Sequence, residues 1–120
     1  MQHLKSKPTY LYKIATAQQW DKMCEFGIQH NQGSALDQTD GYLHLSLSHQ
    51  VERIAKKYFS GKDELKLIIV TYSVVSELIK WEPNSKGELF PHSYGQLPTE
   101  AVSNVLTIES QDYDFNRFKY

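Results

Sequence analysis

The stretch Leu65-Lys66-Leu67-Ile68-Ile69-Val70-Thr71-Tyr72 decides how the rest of the chain is read. It is apolar and rich in β-branched residues, and apolar positions fall on both faces for most of its length. That pattern predicts a central strand covered on both sides. A chain of 120 residues has room for one such core and not for two. The reading is therefore one domain over 1–120, with its core at about 10–108. Residues 1–9 form a loose leader and 109–120 a tail with no predicted place.

Before this strand, Ser48 is placed to cap a helix in which Val51, Ile54, Ala55 and Tyr58 make one apolar stripe and Gly61 ends the run. Earlier still, Tyr10–Ile14 reads as a strand. Thr16 and Gln19 have capping-box spacing, and open a helix that carries Trp20, Met23 and Cys24 inward and stops at Gly27. After the central strand, Val74–Ile79 is a helical turn or an irregular crossover. Leu89-Phe90 is extended, Pro91 should break any ladder there, and Pro98 with Glu100 suggests a short turn before a strand over Val102–Ile108. Strands scattered among two main helices, without βαβ alternation, predict an α+β domain with a mixed or mostly antiparallel sheet. No glycine-rich strand-to-helix phosphate loop occurs, which argues against a dinucleotide-binding or P-loop fold.

Composition narrows the partners. The chain is 40% hydrophobic and 22% charged, with a net charge of -1, so it is globular and lacks the cationic surplus that holds duplex nucleic acid. A few well-placed cations would still hold one phosphate-bearing ligand. Arg53, Lys56 and Lys57 make a small basic patch, read most simply as the solvated face of their helix. No segment approaches the ~20 apolar residues that span a bilayer. Cys24, the one cysteine, cannot form an intrachain disulfide; it reads as a buried structural thiol, and a cytoplasmic location is expected.

The densest polar chemistry lies in Asp40–Ser46 and Glu82–Tyr94. Ile28–Asp40 reads as a long, lid-like loop in which Asp37 and Asp40 are turn formers. Beyond the Asp40-Gly41 turn, alternation sets Leu43 and Leu45 on one strand face and Tyr42, His44 and Ser46 on the other. His44 is suited to proton transfer near neutral pH or to capping a neighbouring carbonyl. Ser34 and Ser46 are phosphate donors or local caps. His92 and Tyr94 are placed on a loop, where such residues bind more often than they pack. His44, His92 and Glu82 are suitable zinc ligands by type, but their wide separation and the absence of HxxxH or CxxC spacing lead us to expect no metal. No G-x-S-x-G elbow marks a serine hydrolase.

Several short motifs occur in series: Tyr12-Lys13-Ile14, Gly33-Ser34-Ala35-Leu36-Asp37, Asp40-Gly41-Tyr42-Leu43-His44-Leu45-Ser46, Trp81-Glu82-Pro83 and Phe90-Pro91-His92-Ser93-Tyr94-Gly95-Gln96-Leu97. This series resembles the domain of unknown function 952 family, although Ser93 and Gln96 stand where leucine and proline are expected. The resemblance implies a fold similar to that of ADP-ribosyltransferases and RNA 2'-phosphotransferases. NAD or ADP-ribose is then the implied substrate or ligand, with a transferase or hydrolase reaction. Those enzymes use a strand histidine, an aromatic residue and a late glutamate. His44 and Glu82 match the first and last by type, whereas Tyr94 follows Glu82 and only Tyr58 or Tyr72 lies between. His44, Glu82 and His92 are thus the catalytic candidates, and Ser34, Asp40, Ser46 and Tyr94 the ligand-binding ones. A non-catalytic binding module on the same fold is the alternative. The sequence specifies no oligomeric state.

Overall fold

In a computed structural model, which describes residues 7–62 and 64–109, the central strand is β3 (Glu64–Thr71). It pairs antiparallel with β1 (Tyr10–Thr16) on one side and β6 (Val102–Glu109) on the other. Alternation along β3 divides the core as expected. Leu65, Leu67 and Ile69 pack with Val51, Ala55 and Phe59 on one face, while Ile68 and Val70 pack with Met23, Leu43, Leu45 and Leu97 on the other. Ser103 is the extra residue of a bulge where the β3–β6 register shifts beside Ile69 and Val70, and its hydroxyl donates to the Ile69 carbonyl at 3.3 Å.

A second antiparallel sheet has the order β2 (Leu43–His44), β5 (Leu89–Ser93), β4 (Ile79–Pro83). The two sheets meet where Tyr12 and Ser46 exchange backbone hydrogen bonds of 2.9 and 2.8 Å. All strand pairing among the described residues is antiparallel, so the α+β expectation holds in its antiparallel form. The two main helices are α1 (Ala17–Phe26) and α3 (Val51–Tyr58). Two further short ones, α2 (Ala35–Asp40) and α4 (Tyr72–Val75), add to that expectation.

The Thr16–Gln19 capping box forms in both directions. Several local expectations need correcting. Cys24 is exposed, because the inward line of α1 runs through Trp20 and Met23 and leaves Cys24 about 100° round the helix from Met23. On α3, Tyr58 is 53% exposed and the following Phe59 is the buried aromatic. Ser48 does not cap that helix: Gln50 bonds the Leu47 N–H at 2.9 Å and reaches across to the Leu89 carbonyl at 3.0 Å. The stretch 28–40 is not one open loop. Ser34 caps α2 by accepting from the Asp37 N–H while Asp37 accepts from the Ser34 N–H, and Gly41 ends it at φ +79°. Pro91 breaks only half of the ladder. β5 runs through it against β4, whereas toward β2 its carbonyl accepts from Leu45 N–H at 3.0 Å and no N–H is available to return the bond. β2 consequently stops at His44. Of the expected leader at 1–9 and tail at 109–120, residues 1–6 and 110–120 lie outside the described residues.

Candidate functional site

Strand alternation gathers the polar chemistry on one face of the second sheet. His44 on β2 sits directly opposite His92 on β5, and Lys80 on β4 opposes His92 from the other side. Directly paired residues of antiparallel strands share a face, as do residues two apart. Glu82 and Phe90, a further pair, and Tyr42 and Tyr94 at the strand ends complete that face. His92 is therefore a strand residue, only 8% exposed, rather than part of a loop.

Each imidazole is held through Nδ1 by a carboxylate. His44 Nδ1 lies 2.6 Å from Asp37 Oδ1, and His92 Nδ1 lies 2.7 Å from Glu82 Oε1. Tyr42 covers both rings. Its centroid is 4.3 Å from that of His92 in a stacked arrangement, 4.7 Å from that of His44 and 4.9 Å from that of Tyr94. The two imidazole centroids are 5.1 Å apart, edge to face. Tyr94 donates its hydroxyl to the same Glu82 oxygen at 2.7 Å, and Lys80 Nζ lies 4.6 Å from the Tyr94 ring centroid. His44, Glu82, His92 and Tyr94 thus come together in one cluster.

Behind His44 lies a buried ion pair. Lys13, on the inward face of β1 between Leu11 and Ala15, reaches Asp37 Oδ2 at 2.7 Å and the His44 carbonyl at 3.1 Å. Asp37 is fully buried and Lys13 nearly so. Asp37 also accepts the backbone N–H groups of Ser34 and His44, both at 2.9 Å. Burial pushes its carboxyl up, but the His44 bond and the Lys13 charge outweigh that and hold it well below the usual carboxylate range. Gly33 makes room for this carboxylate, since a Cβ there would collide with Asp37 Oδ2.

The second ring nitrogen of His44 is occupied too, with Nε2 3.0 Å from Asp40 Oδ2. Each ring nitrogen of His44 thus faces one carboxylate oxygen. In the other dyad, the bonds from His92 and then Tyr94 lower Glu82. Burial lowers His92, against an opposing pull from Glu82. The Glu82 bond pushes Tyr94 up to about 12, and burial followed by the Asp40 charge raises Tyr42.

Ser34 and Ser46 have local structural work: Ser34 caps α2, and the 4% exposed Ser46 bridges the sheets through its backbone. Asp37, Lys13 and Tyr42 join the site without having been assigned to it from sequence. The spacing of Ser34 and Asp37 is a capping-box signal that would have replaced the loop by α2. Tyr42 was already on the His44 face by alternation. Nothing local signalled Lys13, whose partners are distant in sequence.

The fold and its paired carboxylate–imidazole dyads define an antiparallel α+β domain with one polar sheet face at the head of an open cleft. The model of a family described as a protein of unknown function (DUF952) matches residues 14–105, and the chain belongs to that family. It is similar to the X-ray crystal structure of protein CC0527 from Caulobacter crescentus, at 34% identity and TM-score 0.75, covering 84% of this chain and 87% of that one. The solution NMR structure of CC0527 is similar at 33% identity and TM-score 0.70, covering 84% and 85% of the two chains. No curated protein matches the chain.

Proposed function

We propose that this domain binds a nucleotide-like or ADP-ribose-containing ligand and acts on it as a transferase or hydrolase, on a fold of the ADP-ribosyltransferase kind. The observation that carries this reading is the gathering of His44, His92, Glu82 and Tyr94 around Tyr42, with two imidazoles each oriented by a carboxylate. A carboxylate on Nδ1 orients each ring as a proton donor or acceptor needs, with His44 Nε2 facing Asp40 as well. His44 would contact a ribose hydroxyl or phosphate, and Tyr94 would stack on a base or nicotinamide ring. Glu82 is suited to stabilising a sugar centre that becomes cationic as its glycosidic bond breaks, with His92 positioning it. NAD, ADP-ribose and 2'-phosphorylated RNA are the ligands to titrate by calorimetry and thermal shift. A ligand at a hundredfold excess over its Kd adds about 2.7 kcal/mol of stability. No response from any of the three would sink the ligand class.

One observation favours the alternative of a non-catalytic module. Glu82 is already engaged by His92 and Tyr94, and both ring nitrogens of His44 already face carboxylates. On that reading, His44→Ala and Glu82→Ala weaken ligand binding while every assayed turnover stays unchanged.

A further inference from the structure

The cleft in front of His44 has an electrostatic character that the net charge conceals. It is open, about 1540 Å3, and bounded by α1, α2, α3, the β4–β5 turn and the Tyr42–His44–His92 face. Lys22, Arg53, Lys57, Lys62 and Lys86 line it, together with the buried Lys13. Glu88 is the acidic residue among the described lining, and Arg53 Nη2 lies 2.5 Å from it. Lys13 is neutralised by Asp37. Lys22, Lys57 and Lys86, from three separate segments, therefore leave a surplus of positive charge at one cavity in a chain whose net charge is -1. Arg53 and Lys57, a turn apart on α3, point into the cleft, whereas Lys56 pairs with Glu52 at 2.9 Å. The basic patch of the sequence is thus split between a cleft wall and a solvated face.

A carboxylate of the protein itself borders this basic field. Asp40 is the last residue of α2, the helix end at which exposed carbonyls disfavour a negative charge. Its Oδ2 nevertheless lies 3.0 Å from His44 Nε2, with both side chains partly exposed. Helix capping does not require this bond, since Gly41 ends α2 through its own N–H to the Asp37 carbonyl at 2.9 Å.

We propose that the cleft is a binding site for a pyrophosphate group, and that Asp40 holds the place at His44 Nε2 which one phosphate of the ligand takes over. The exchange swaps one anionic partner of His44 for another. The rest of the ligand's charge then lies against Lys57 and Arg53. The group is either the pyrophosphate of a nucleotide such as ADP-ribose or an inorganic polyphosphate. The inference rests on the nucleotide reading for the sugar and base only.

The test is calorimetry on the full chain with pyrophosphate, ADP-ribose and adenosine. Pyrophosphate should bind and compete with ADP-ribose, and affinity should fall as salt rises from about 0.05 to about 0.3 M. Asp40→Asn removes the internal competitor and should tighten both anions about fivefold. Lys57→Gln, at an exposed helical position, should weaken both about threefold, the scale of a screened charge contact. Circular dichroism establishes that both variants are folded. If ADP-ribose binds but neither salt nor either variant alters its affinity, and adenosine competes fully, the pyrophosphate site is overturned while the nucleotide reading stands. If pyrophosphate binds with the expected variant effects and ADP-ribose binds no more tightly, the anion site stands and the nucleotide reading falls. Silence from all three ligands overturns both.

Discussion

Replacing Asp37 by asparagine tests the support beneath His44 most directly. The substitution keeps the size of the side chain and one carbonyl acceptor but removes the charge that faces Lys13 Nζ at 2.7 Å. Lys13 is 4% exposed and Asp37 0%, so water cannot take the carboxylate's place. Breaking a buried pair on one side costs about 3–5 kcal/mol, because the surviving charge stays buried without compensation. Weakening of the α2 cap contributes about 1 kcal/mol, though the two effects share atoms and will not add fully. Set against a total stability of roughly 5–15 kcal/mol, the loss is large. Urea denaturation followed by circular dichroism measures it. Lys13→Met should cost a similar amount, and the double variant should be more stable than the sum of the single losses predicts. A loss below about 1 kcal/mol in Asp37→Asn would refute the uncompensated-charge argument. The acid limb gives a second check. A carboxyl held below its ordinary value contributes stability that is fully present above pH about 4 and disappears as pH falls through the folded-state value. That acid loss should be smaller in Asp37→Asn.

The remaining predictions concern the other dyad and one buried hydroxyl. His92, lowered by burial, takes up its proton later than in the unfolded chain, so stability should fall as pH drops below its ordinary value of 6.5. NMR titration of the ring should give a midpoint below that value, and His92→Gln should flatten this part of the stability profile. Tyr94 should ionise near pH 12, and in Glu82→Gln the phenolate absorbance should appear at lower pH; an unchanged midpoint would show that Glu82 is not the cause. Ser93 is 1% exposed and its hydroxyl lacks a hydrogen-bond partner among the described residues. Ser93→Ala should therefore leave stability unchanged or raise it by about 1 kcal/mol, as read by thermal denaturation.

The sequence by itself determined the parts of this protein that depend on local pattern. The apolar run of β3 specified a strand covered on both faces, Thr16 and Gln19 specified where α1 begins, and alternation after Gly41 specified that Tyr42 and His44 share a face. These signals need only neighbouring residues. Where a local signal was present but ambiguous, the outcome depended on packing: Met23 rather than Cys24 faces the core, and Phe59 rather than Tyr58 is buried. The site itself was decided by tertiary structure. His44 meets His92 because β2 and β5 pair in one particular register, and a slip of one residue would turn His92 to the opposite face. Lys13 meets Asp37 because its side chain reaches from β1 to the first turn of α2, at a buried point where neither charge is tolerable alone. The physical reason is that hydrogen-bonding periodicity is written locally, whereas the partner of a buried charge is fixed only once distant segments have closed over it.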